Sequence, residues 1–468
     1  MSNVSQRRAP ARALVVLGVS ALTSLLAVPA FAGQVNLSGL DSQPTLDRFI
    51  VKYKDGSSPA VSPTSMRASL NSVATAVPAR AGRALGLNHV RRTALGSEVL
   101  KATRGLDRAE AETLMRRIAA DPSVDYVEVD QIMYPVLTPN DTRLSEQWGF
   151  GTSASSINVR PAWDTATGTG VVVAVIDTGI TSHPDLNANV LPGYDFISDA
   201  ARARDNNGRD SNPADQGDWR AANQCPGAPA ANSSWHGTHV AGTIAAVTNN
   251  NSGVAGTAFN ARIVPIRALG LCGGTTSDIA DAIVWASGGS VSGVPANANP
   301  AEVINMSLGG NGACSSTYQN AINGAVSRGT TVVVAAGNSN ANVANFTPAS
   351  CANVISVASI TSAGARSSFS NFGSTIDISG PGSAILSTLN SGTTTPGSAS
   401  YASYNGTSMA APHVAGVVAL VQSAASRPLT PAAVETLLKN TARPLPGACS
   451  GGCGAGIVNA AGAVSQTP

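Results

Sequence analysis

Residues 405–416 read Asn-Gly-Thr-Ser-Met-Ala-Ala-Pro-His-Val-Ala-Gly, and few folds can accommodate such a stretch. Ser408 stands among small residues, with Gly406 two positions before it. The apolar run 417–421 that follows is long enough, with its flanks, for a buried helix. Proline is tolerated in a helix where its missing N–H would have no partner, in the first turn. Pro412 therefore predicts that Ser408 lies at a helix N-terminus, where free N–H groups and the helix dipole favour negative charge. In most proteins a serine so placed is an ordinary cap. Two segments upstream argue for more.

Residues 171–179, Val-Val-Val-Ala-Val-Ile-Asp-Thr-Gly, form a β-branched run of the kind buried on both faces of a parallel sheet. Asp177 ends it, at the carboxyl edge where open α/β sheets place their sites. Residues 236–242, His-Gly-Thr-His-Val-Ala-Gly, repeat the design around Ser408: a reactive residue, small residues, then an apolar helix. Asp177, His236 and Ser408 thus make an orienter, a base and a nucleophile. Their chain order is that of subtilisin. Over residues 147–464 the chain resembles the subtilisin-like serine proteases, in particular a secreted bacterial branch made with an N-terminal propeptide. The resemblance implies an α/β fold with a mostly parallel central sheet and helices on both faces, preceded by a small α+β domain. It also implies roles for two further edges. Asn338, ending the strand 331–336, matches the side-chain donor of the oxyanion hole, joined by the Ser408 N–H. Ser307, Leu308 and Gly309 match the strand that pairs with the peptide substrate.

Residues 1–32 carry Arg7, Arg8 and Arg12, an apolar stretch and then Ala30-Phe31-Ala32, the pattern of a cleaved secretory signal. The apolar stretch is short for a membrane span and is diluted by Ser20, Thr23 and Ser24. Residues 33–138 differ in composition, holding much of the basic charge and no cysteine. Alternation at 48–54 and 124–129 predicts strands, and 107–120 predicts a helix ended by Pro122. The Ser/Ala/Pro-rich segment 57–80 reads as loose. By resemblance this is a propeptide that assists folding and inhibits in cis. Its apolar tail 133–137 suits an extended strand in the substrate cleft. The peptidase domain then spans 139–468. A net charge of +2 and only 12% charged residues speak against nucleic-acid or acidic-lipid partners. They suit a compact, neutral extracellular enzyme; the resemblance implies a monomer whose partners are peptide substrates and its own propeptide.

No organic or redox cofactor is implied, but calcium is. Asp185 matches a calcium-binding aspartate of the family, with Val247, Asn250 and Val254 in its companion loop. Separately, Asp199, Asp205, Asn207 and Asp210 supply oxygens at close spacing with a glycine turn, like the start of a calcium loop. The pair His236 and His239 is spaced for a metal, yet has no Glu between and no third ligand nearby. His239 and His413 therefore read as internal packing residues, and His183 as a loop residue. All six cysteines lie beyond residue 138, which with the signal implies an oxidising compartment. Cys314 and Cys351 follow strands that should be neighbours and are paired on that ground. Cys449 and Cys453 should close locally, which leaves Cys225 with Cys272. A zinc cluster is the rival, but no C-x-x-C occurs.

The expected activity is hydrolysis of peptide bonds through an acyl-enzyme, by a secreted endopeptidase that cuts its own precursor. A lipase or esterase would want G-x-S-x-G and Ser first in the chain. A binding protein with a dead site would lack one of the four matched positions.

Overall fold

The computed structural model describes residues 33–41, 45–75, 77–80, 82, 84–132 and 138–468. The expected signal, 1–32, and the cleft-binding tail, 133–137, lie outside these. The chain divides between residues 133 and 134 into two compact units.

The N-terminal unit is a five-stranded sheet in the order Gln34–Asn36, Val124–Val129, Leu46–Tyr53, Glu98–Leu106, Leu87–Arg92. Its helix Arg108–Ala119 begins with a capping box, in which Asp107 accepts from Glu110 N and Glu110 accepts from Asp107 N. Ala111, Leu114, Met115 and Ile118 bury one stripe of it. The segment expected to be loose instead forms the helices Ser58–Val61 and Pro63–Ala74. Pro59 and Pro63 sit at the first or second helical position, where they start a helix rather than break it. Ser62 caps the second helix, and Met66, Leu70 and Ala74 recur every four residues along a buried stripe.

The second unit is built on seven strands: β1 Val172–Asp177, β2 Tyr194–Asp195, β3 Arg262–Arg267, β4 Val303–Met306, β5 Thr331–Ala335, β6 Ile355–Ile360 and β7 Ile378–Pro381. Their order is β7-β6-β5-β4-β1-β3-β2, and every pairing is parallel. Alternation along β1 serves two cores. Val173 and Val175 join one cluster with residues of helices α1 His236–Ala245 and α4 Thr407–Ala424. Ala174 and Ile176 join the other with α2 Thr276–Ala286 and α3 Ser316–Ser327. A sheet covered on both faces needs apolar residues at successive positions, as β1 supplies. Asp177 therefore emerges fully buried at the carboxyl edge. Asn338 follows β5 and Ser307 follows β4 at that same edge.

Disulfides join Cys225 to Cys272, Cys314 to Cys351 and Cys449 to Cys453, the pairs read from the sequence. Among the described residues no helix is long and apolar enough to cross a membrane.

Candidate active site

β1 delivers Asp177 and α1 opens on His236, so two rigid elements meet at one hydrogen-bonded pair. His236 Nδ1 donates to Asp177 Oδ1 and Oδ2 at 2.8 and 2.9 Å. That bond commits the proton of the neutral ring to Nδ1 and leaves Nε2 as a free base. Asp177 Oδ1 also accepts from Thr178 N at 2.8 Å. Thr178 Oγ1 donates to the buried Asp215 at 2.6 Å and accepts from Gly237 N at 3.0 Å, tying the end of β1 to the start of α1. Burial pulls the pKa of His236 down, but the Asp177 charge and hydrogen bond, with Asp218 and Asp215 beyond, outweigh it and hold the pKa above the ordinary histidine value.

α4 carries the serine. It begins at Thr407, so Ser408 is its second residue and Pro412 its sixth. The proline therefore lies past the first turn, where it was expected. Its missing N–H strips Ser408 O of the partner four residues on. Ser307 Oγ replaces that partner, donating to Ser408 O at 2.8 Å, and Ser408 Oγ donates back to Ser307 O at 3.2 Å. The structure thus brings Asp177 to His236, and Ser408 to Ser307. In this rotamer Ser408 makes no hydrogen bond to His236.

Beyond β5, Gly337 adopts φ +101° and the chain turns to present Asn338. Its Oδ1 accepts from Thr407 N at 2.8 Å and from Thr407 Oγ1 at 3.0 Å. With Oδ1 so engaged, Nδ2 is the end of the amide not bonded to Thr407. A Cβ placed on Gly406 would lie 3.5 Å from Asn338 Nδ2 and 3.5 Å from Ser408 N. Asn338 Nδ2 and Ser408 N therefore border the same small space beside Gly406.

The peptidase S8 model, the subtilase family, matches residues 168–456. This chain belongs to the subtilase family. The chain is 73% identical over 467 residues to an extracellular protease of Xanthomonas campestris pv. campestris, covering 99% of this chain and 80% of that one. It is 44% identical over 476 residues to an extracellular basic protease of Dichelobacter nodosus, covering 96% and 77%. A solved protease structure from Pseudoalteromonas arctica is 59% identical, covers 70% of this chain and 99% of its own, and superposes with a TM-score of 0.69. The chain is accordingly a serine-type endopeptidase.

In this subtilase, residues 307–309 run beside a cavity of about 460 Å³ lined by Leu269, Ile279, Leu308, Tyr318 and others. Gly309 is obligatory there, since a Cβ would meet Phe346 Cε1 at 2.3 Å. The cavity was not foreseen, because its walls come from segments far apart in sequence. His239 is fully buried, stacks on Tyr404 and donates from Nε2 to Ile385 O and Ala402 O at 3.0 and 3.1 Å. Burial and the nearby His236 push it to about 3, so it is a neutral packing residue. His413 donates from Nδ1 to Met409 O, and burial pushes it to about 4. His183 is buried too, with Nε2 donating to Ser400 O at 3.0 Å.

The two expected calcium sites differ. Asp199 caps a short helix through Ala201 N. Asp205 receives Arg267 Nη1 at 2.9 Å. Asp210 accepts from Asn207 Nδ2 and Asn212 N at 2.6 and 2.7 Å. Asn207 N also donates to Asp205 Oδ1 at 3.3 Å, so Asp205, Asn207 and Asp210 are linked, while among the described residues no group of three or more His, Cys, Asp or Glu is arranged for a metal at either site. Asp205 is paired here with the buried Arg267, and calcium at Asp199, Asp205, Asn207 and Asp210 is a proposal. The Asp185 site is different. Asp185 accepts from Asn250 Nδ2, Val254 N and the Tyr401 hydroxyl, and Val247 N donates to its carbonyl. A second buried carboxylate, Asp141, accepts from Asn249 N on the same loop at 2.9 Å. Burial raises the Asp185 pKa, and the Asp141 charge adds to the rise. Two buried acids facing one loop and repelling each other are hard oxygen donors that suit calcium.

Proposed function

We propose that this subtilase is a secreted endopeptidase in which Ser408 is the nucleophile, His236 the base and Asp177 its orienter. The observation that carries the reading is the His236–Asp177 bond, which leaves Nε2 of the neutral ring unprotonated. Ser408 turns about χ1 away from Ser307, and its Oγ attacks the scissile carbonyl carbon while the proton passes to Nε2. The oxyanion forms between Asn338 Nδ2 and Ser408 N, donors that need no reorganisation as charge develops. His236 returns its proton to the leaving amine, and water repeats the sequence on the acyl-enzyme. The substrate backbone adds as a strand along Ser307, Leu308 and Gly309. Secretion follows from the signal-like 1–32, and the two most extensively matched relatives described above are named extracellular. Residues 33–138 act as an inhibitory propeptide removed by the enzyme itself.

The test is the pH profile of kcat/KM on a peptide p-nitroanilide. Activity needs neutral His236, whose pKa is raised, so the acid limb should fall above about pH 6.5, the ordinary histidine value. Asp218→Asn should move it down by removing one of the facing charges. A limb below that value, unmoved by the substitution, would sink the assignment of His236. Ester cleavage without peptide cleavage would favour an esterase.

Calcium would be held by Asp141, Asp185 and Asn250, stiffening the loop 247–254 by binding only the folded form. At a hundredfold excess over Kd this stabilises by about 2.7 kcal/mol. Chelation should therefore hasten thermal inactivation of the wild type, and Asp185→Asn should inactivate fast with or without chelator. Equal wild-type rates in both buffers would remove the metal.

A further inference from the structure

Asn338 is exposed at a loop tip, yet an oxyanion donor must be held to within about half an ångström of its place. Its side chain is oriented by Thr407, but the main chain that carries it needs its own support. Thr407 Oγ1 accepts from Gly337 N and the backbone of residues 369 and 372 bonds residues 340 and 341, but the structure points to one side chain, from a different segment, that bonds the main chain on both sides of Asn338. Asn371, 1% exposed, places its Oδ1 between Ser339 N and Ala341 N, accepting from both at 3.0 Å. Its Nδ2 donates to Ala336 O at 2.8 Å, and its own N donates to Gly337 O at 2.9 Å. Four bonds thus grip the chain on both sides of Asn338 and none touches Asn338 itself.

The fit is close. A Cβ on Gly337 would stand 2.4 Å from Asn371 Nδ2, so the glycine lets the amide press against the turn. Asn371 is itself anchored, since Ser370 Oγ donates to Asn371 O at 2.9 Å and accepts from Ser359 N on β6. The amide uses both an acceptor and a donor end, so no residue of one polarity can replace it.

We propose that Asn371 is the positioning residue of the oxyanion hole, acting only through Asn338. It deepens the reading of Asn338 given above and rests on it. Misplacing a catalytic group by about 1 Å can cost about a hundredfold. Asn371→Ala should therefore lower kcat by between about tenfold and a hundredfold, with KM little changed. Asn371→Asp, nearly isosteric but unable to donate to Ala336 O, should do the same and keeps the packing if the alanine variant folds poorly.

The experiment is a double-mutant cycle on kcat in mature enzyme, the variants being freed of residues 33–138 by a trace of tagged wild type that is then removed. In the Asn338→Ala background, Asn371→Asp should cost little or nothing further, because the group it places is gone. Losses that multiply, or a loss confined to KM or to thermal stability, would overturn the proposal. If Asn338→Ala itself leaves kcat unchanged, the oxyanion reading fails and this one falls with it. A large Asn338→Ala effect with an unchanged Asn371→Asp enzyme fails Asn371 alone.

Discussion

Ser408→Ala is expected to remove peptide hydrolysis and to leave a folded precursor with residues 33 to about 138 still attached. The loss in kcat should be roughly 10⁶, the size known for the nucleophile of subtilisin itself. The substitution takes away Oγ and its bond to Ser307 O. It keeps the Ser408 N–H and leaves Ser307 Oγ on Ser408 O, so α4 should form as before. The residual rate would come from the oxyanion donors and binding alone. The maturation half rests on the proposed role of residues 33–138 as an inhibitory propeptide, with no fixed recognition motif in residues 137–141. Intact-mass analysis of wild type and variant, from a host without other extracellular proteases, checks both halves. A variant trimmed at the same bond and the same rate would assign maturation to a separate enzyme.

Asn338→Ala should lower kcat by about 10²–10³ with little change in KM, the magnitude established for the corresponding asparagine of subtilisin. The physical reason is that Nδ2 meets full charge only in the transition state. Removing the amide also frees Thr407 N and Oγ1, both now bonded to Asn338 Oδ1. Thr407 Oγ1 still accepts from Gly337 N, which limits the disturbance. Steady-state kinetics on one peptide separates the cases. A rise in KM at constant kcat would make Asn338 a substrate-binding residue.

Much of this was legible locally. The β-branched run before Asp177, the small-then-apolar segments after His236 and Ser408, and the glycine-flanked edges at Ser307 and Asn338 each announce their element. What escaped depended on distant partners. Pro412 was placed a turn too early because its cost is offset by Ser307, over a hundred positions away. The helices in 58–74 were masked by serines and prolines that start helices as readily as loops. The pairing of Asp205 with Arg267 escaped because nothing nearby in sequence announces Arg267. Asn371 and Asp141 carried no local signal, since each acts by bonding the backbone of a loop remote in sequence.

The most direct measurement of the central claim is labelling by a fluorophosphonate, with the adduct located by peptide mass spectrometry. An activated serine reacts because a base takes its proton, so labelling reads the triad and not mere exposure. The account predicts one adduct per mature chain, on Ser408, formed much more slowly when His236 is replaced by Ala in a protein that still folds. An adduct on another serine, or no adduct on an enzyme that continues to cleave peptides, would contradict it.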